Sequence, residues 1–207
     1  MTSDRPVTRA RSMIPFLQLN VPVLAQLGTV FLFFLLFDLF KPRGQRHRWR
    51  EYLFLTGAAG MTALFGLLVD QITLGISRDY FTLGKGFPGG PTLTRQVAQL
   101  GLHAGVGAGV LGGGIVLLVN RAPRHTFRLF HFLWVPLLAA AVCGAFAGGL
   151  LYLLPWYIHP LAAEFLEPAA AHRFTIVWFI HVGVYAGGAA GLIYLVRLAW
   201  RNRETTV

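Results

Sequence analysis

Polar and apolar residues fall along this chain in long blocks, without the short alternations of a soluble helix or strand. Five blocks are apolar: 14–40, 52–76, 96–119, 129–153 and 174–198. Crossing about 30 Å of hydrocarbon takes about 20 residues of α-helix, and every block is long enough. A helix also satisfies its own backbone polar groups where no water can. The pattern therefore predicts an all-α integral membrane bundle of five transmembrane helices in a single membrane domain. Around the helices lie tails at 1–13 and 199–207 and, on one side of the membrane, loops at 77–95 and 154–173. The first block carries Gln18, Asn20 and Gln26, so its membrane part is expected to begin near Val21. Arg5, Arg9 and Arg11 ahead of it have the look of a secretory signal, but the apolar stretch runs on through Phe31 to Phe37 with no small-residue cleavage site. A retained helix is expected.

Composition removes the soluble alternative. The 207 residues are 55% hydrophobic and 13% charged, with mean hydropathy +0.59, more apolar surface than one small core hides. The net charge of +10 raises nucleic acid as a partner, with 41–50 (KPRGQRHRWR) as the candidate patch. That segment is a short loop between spans with no stacking platform or recognition fold. Membrane topology and attraction to anionic lipid headgroups account for it, and no nucleic-acid binding is expected. Cys143 stands alone in mid-helix, so no internal disulfide is expected.

Lysine and arginine favour the cytoplasmic side. With the N-terminus outside, the inner side carries Lys41, Arg43, Arg46, Arg48, Arg50, Arg121, Arg124, Arg128, Arg197, Arg201 and Arg203. The outer side carries Arg5, Arg9, Arg11, Arg78, Lys85, Arg95 and Arg173. Eleven against seven predicts an outer N-terminus and a cytoplasmic C-terminus.

An internal repeat overlays this topology. Aligning His103 with His181 matches His-x-Gly-Val-x-Ala-Gly in the third and fifth blocks, and 8 of the 15 positions from 103 to 117 are identical. Blocks two and three, and four and five, would then be two units related as a parallel repeat. Glycines at four-residue spacing, Gly101, Gly105 and Gly109, then Gly144 and Gly148, then Gly183 and Gly187, let helix backbones approach closely. Blocks three to five are expected to form the tight centre, with the Phe-rich first block facing lipid or a partner subunit.

The candidate chemistry lies in one layer. Asp70 is six residues from the outer end of its block, about 9 Å deep at 1.5 Å per residue, where a carboxyl is costly unless paired or wet. His103 and His181 lie about 12 Å deep by the same rise. Thr73, Gln96, Gln99 and Tyr185 extend their helix faces at turn spacings. Four uses compete for such a layer: hydrogen bonds that lock the bundle; a ligand, proton or ion site; a bis-histidine haem b held by His103 and His181; and catalysis. No nucleophile, carboxylate pair or His-Glu-x-x-His run supports the last.

The outer loops carry less. Gly84-Lys85-Gly86 lacks the Ser or Thr, the leading glycine and the strand of a phosphate-binding loop, and is expected to be a compact turn. The 154–173 loop, with Trp156 and Tyr157 at the interface, is expected to hold a short amphipathic helix lying on the membrane, with His159 and His172 solvated. The run from Asp70-Gln71-Ile72-Thr73 to Asp79-Tyr80-Phe81-Thr82 resembles the signature of an uncharacterised family of bacterial polytopic membrane proteins, Asp-Gln-Ile/Val-Thr/Ser followed by an acidic residue and Tyr-Phe-Thr. In that family a His often precedes the Asp and Glu often replaces Asp79; here Val69 and Asp79 stand. The resemblance implies the bacterial cytoplasmic membrane and supplies no activity.

These readings favour a non-enzymatic membrane protein, either an accessory subunit working with a membrane partner or a second copy, or a ligand-responsive bundle. The topology has a direct check with single cysteines at Gln45 and Gly84 in a Cys143→Ser background. An impermeant thiol reagent on intact cells is expected to label position 84 and spare 45; the reverse result inverts the orientation.

Overall fold

A computed structural model of the chain describes residues 49–120 and 133–204, with isolated helical positions at Gly28, Leu32, Leu36 and Phe40. The rest of the first expected span, 14–40, lies outside the described residues, as do the basic loop 41–48 and the segment 121–132. Among the described residues the structure is helical, with α1 (Trp49–Ile76), α2 (Leu93–Asn120), α3 (Trp134–Leu153), α4 (Pro160–Phe165) and α5 (Pro168–Glu204). A single π-helical turn, Tyr80–Gly84, sits between α1 and α2. The four longer helices are each long and apolar enough to cross a membrane.

Their ends follow local chemistry. α3 stops at Leu153 because Pro155, two residues on, cannot continue a helix; the last cap is the Leu154 N–H donating to the Leu150 carbonyl. α5 starts at Pro168, six residues ahead of the expected 174, since proline suits the first helical position and three alanines follow. Its 37 residues reach about 55 Å, longer than the about 30 Å of hydrocarbon that a span has to cross. The 154–173 segment accordingly holds the short α4 and the first residues of α5, and Ala162 of α4 is fully buried.

Two antiparallel hairpins make the body. In the first, Gly66 meets Gly101, Thr62 meets Gly105, and Ala58 meets Gly109. In the second, Cys143 meets Gly183, Ala139 meets Gly187 and Pro136 meets Gly191. At every one of these glycines an added Cβ would overlap neighbouring backbone or side-chain atoms, so the glycines set the interhelical distance. α5 packs against every other described element and is the hub that joins the hairpins.

Two apolar clusters close the ends. At the end bearing the 77–92 loop, here the loop end, Leu74, Tyr80, Phe81, Leu93, Val97, Phe174 and Val177 are buried with Ala162 and Ala171. At the opposite end Phe54, Ala58, Val116, Leu133, Leu195 and Ala199 are buried together. Threonine hydroxyls within the spans bond back to their own helix, as Thr62 does to Ala58 and Thr175 to Ala171, which keeps them satisfied where water is absent.

Gly105 and Gly107 give a matched pair of tests. Gly105→Ala drives a methyl into the Thr62 backbone and is expected to destabilise by about 1–3 kcal/mol. A Cβ at Gly107 meets nothing within 4 Å, and Gly107→Ala is expected to be neutral or to stabilise by up to about 1 kcal/mol. Equilibrium unfolding of both variants in micelles checks the order.

Candidate functional site

Asp70 and His181 meet across the hairpins. Asp70 lies near the end of α1, His181 in α5, and both are buried, at 7% and 5% exposure. His181 Nε2 stands 3.0 Å from Asp70 Oδ1. The other ring nitrogen, Nδ1, is 2.9 Å from the Val177 carbonyl oxygen one turn back. A carbonyl only accepts, so Nδ1 carries a hydrogen and donates it. The bond to Asp70 then takes its proton from one of two sources: Nε2–H donating to a carboxylate, or a carboxylic acid donating to Nε2. Both arrangements contain the same protons and are neutral overall.

The loop covers this pair. The Tyr80 ring stacks on the imidazole with centroids 4.9 Å apart and planes 16° from parallel. Phe81 approaches edge-on at 6.3 Å, and Tyr185 leans in at 6.3 Å from α5. The π-helical turn reaches inward because Ser77 Oγ accepts the Tyr80 N–H and because Gly84 lets the turn rest on the Phe174 ring. Gly86 and Gly90 then take positive φ, 71° and 112°, which glycine adopts without strain. Burial, then Tyr185 and Asp70, push the Tyr80 hydroxyl well above its ordinary pKa; it stays protonated and neutral over the imidazole. Lys85 Nζ lies over the Tyr80 ring, 5.5 Å from its centroid.

The remaining expected site residues divide. Thr73 is buried beside Asp70, its hydroxyl donating to the Val69 carbonyl at 2.8 Å. Gln71 reaches the Thr94 carbonyl of α2 through a long 3.4 Å bond. Of the loop motif, Tyr80 and Phe81 are buried while Asp79 and Thr82 are half-buried, and Thr82 bonds only to the Arg78 carbonyl. His103 and Gln99 are half-buried in α2 and do not join Asp70. A bis-histidine haem does not fit this donor set, because both nitrogens of His181 are engaged and His103 stands apart. His159 and His172 are not solvated as expected. His172 Nε2 reaches the Leu151 carbonyl at 3.2 Å, and the His159 ring packs against Phe174 and Trp178, where its Nδ1 is buried without a partner.

Below the pair opens a cavity of about 420 Å³ between the hairpins. Its walls are apolar, with small residues such as Gly66, Ala104 and Gly112 from the first hairpin and Ala140 and Gly188 from the second set among larger ones such as Met61, Phe65, Leu137 and Leu192. Asp70, Lys85, His181 and Tyr185 are the ionisable groups on its lining, all toward the loop end, and Phe54 and Leu195 mark the other end. From Phe54 to Asp70 the span is about 24 Å along the helix. Among the described residues no group of three metal-ligating side chains occurs. The sequence did not single out Lys85 as part of this site or Tyr80 as its cover; the aromatic pair directly after a polar helix end was the available signal.

No family model, curated protein or solved structure matches the chain. Fold and site therefore define the class alone: a multi-pass helical membrane protein with a buried carboxylate–imidazole contact between two hairpins.

Removing either partner strands the other. Asp70→Ala or His181→Ala is expected to destabilise by about 3–5 kcal/mol, while His103→Ala is expected to cost less than about 1 kcal/mol. Unfolding measured on the three variants side by side reads the difference.

Proposed function

We propose that the protein is a non-enzymatic, ligand-responsive membrane bundle whose site is the cavity between the hairpins. The observation that carries this reading is an apolar cavity of about 420 Å³ ending on the Asp70–His181 contact. Ligand sites are concave, mostly apolar and marked by a few convergent polar groups, and this cavity has that make-up. A membrane amphiphile lays its chain along the glycine and alanine walls and its polar head near Lys85, Tyr185 and the pair. Ligand that fills the cavity bears on both hairpins at once, and a partner protein or second copy reads the resulting change in their spacing.

The setting follows from the sequence. The first apolar block supplies a fifth span, the loop end faces outward, and the basic loop 41–50 lies on anionic headgroups of a bacterial inner membrane. Membership in the uncharacterised family that the 70–82 motif resembles belongs to the same reading. So does the repeat, whose two units carry glycine contacts at matching positions. The repeat is broken at the site: Asp70 lies eight residues beyond Thr62, and the residue eight beyond Cys143 is Leu151. A carboxyl is thus present in one unit alone, and one polar pocket results instead of two.

Ala104→Phe and Gly188→Phe place rings in the cavity from opposite hairpins. Native mass spectrometry of the protein released gently from its membrane is expected to show a retained small amphiphile on the wild type and its loss in both variants. Wild type and variants with the same bound species would rule out the cavity as the site.

A further inference from the structure

The hydrogen-bond inventory at His181 carries a second conclusion, independent of whether the cavity holds a ligand. Both ring nitrogens face oxygen atoms, the Val177 carbonyl at 2.9 Å and Asp70 Oδ1 at 3.0 Å. Two oxygens around one imidazole require two hydrogens. With only one, either Nε2 turns a lone pair on a carboxylate or Nδ1 turns a lone pair on the carbonyl, and one of the two bonds becomes a repulsion.

We propose that Asp70 and His181 form a proton-binding site that latches α1 to α5. With its proton the pair makes both bonds and is neutral. Release passes that proton to water at the loop end and leaves one net negative charge among buried groups, with one bond of the ring lost. Few neighbours compensate it. Tyr80 from the loop turn and Tyr185 from α5 face the imidazole as neutral phenols, and among the described residues Lys85 is the one cation on the cavity lining, where α2 and α3 place no titratable side chain. The Tyr80 turn rests on the imidazole face, so ring displacement loosens the cover of the cavity with the latch. The proton is thereby the effector that decides whether the loop end is closed.

Asp70→Asn separates this proposal from a merely structural bond. An asparagine amide donates to Nε2 while Nδ1–H keeps the Val177 carbonyl, so both bonds survive without an exchangeable proton. Equilibrium unfolding of the full chain in mixed micelles, wild type against Asp70→Asn, is followed from about pH 5 to about pH 9. A free histidine gives up its proton near about pH 6.5. Above that pH the folded wild type holds one proton more than the unfolded chain, so raising the pH disfavours folding. Its folding equilibrium is expected to fall about tenfold per pH unit relative to Asp70→Asn, until the folded pair itself lets go. Below about pH 6.5 the wild type is expected to level off, since its folded and unfolded chains then hold equal numbers, while Asp70→Asn, whose folded histidine stays neutral, loses stability as the pH falls, so the ratio goes on falling with rising pH across that range as well.

At the alkaline end, amide hydrogen exchange in 77–84 is expected to be faster in the wild type than in Asp70→Asn at the same pH. A ratio that stays level across the whole range overturns the proton site, and equal exchange rates overturn the latch. An Asp70→Asn chain that does not fold also counts against the proposal, because the amide should keep both bonds.

Discussion

The loop end of the bundle depends on one hydrogen bond between buried groups 111 residues apart, Asp70 and His181. Both side chains are buried, and a carboxyl at that depth is tolerated only when paired or facing a wet cavity. The pairing fixes more than two side chains. It holds the first hairpin against α5, gives the Tyr80 ring a flat surface to stack on, and so folds the 77–92 loop over the bundle. The aromatic cluster of Tyr80, Phe81 and Phe174 then completes the cover.

Close approach within each hairpin is what leaves space between them. Gly101, Gly105 and Gly109 bring α2 onto α1, and Gly183, Gly187 and Gly191 bring α5 onto α3. Other short side chains, Ala104, Ala108, Gly112 and Gly188, line the gap between the hairpins together with larger apolar ones such as Met61 and Leu192. Apolar clusters at both ends hold the hairpins together around that gap.

Much of this was legible in the sequence, and the parts that were not have identifiable causes. The four described spans follow from apolar block length, and the pairing of Asp70 with His181 was approached by counting depth. Depth does not give azimuth, which is why His103 was grouped with them. His103 lies two residues from both Gly101 and Gly105, hence on the far side of α2 from the face that packs on α1. His181 stands in the same relation to Gly183, yet its far side meets α1, because α5 is the hub and has neighbours all round. Equivalent positions in a pattern met different surroundings. The packing of His159 was missed for a related reason: a turn-rich segment reads as solvated unless the helix that folds back over it is known. α5 begins early, at Pro168, and brings Phe174, Thr175 and Trp178 up to meet His159, while His172, on α5 itself, reaches back to the Leu151 carbonyl.

The central claim is that Asp70 and His181 interact directly and tie the hairpins together. A double-mutant cycle tests it, with unfolding free energies for wild type, Asp70→Leu, His181→Leu and the doubly substituted chain in the same micelles. Residues in contact couple, whereas independent sites add within about 0.5 kcal/mol. A coupling of about 2 kcal/mol or more is expected, with the double variant less destabilised than the two single losses together. Additive losses would contradict it.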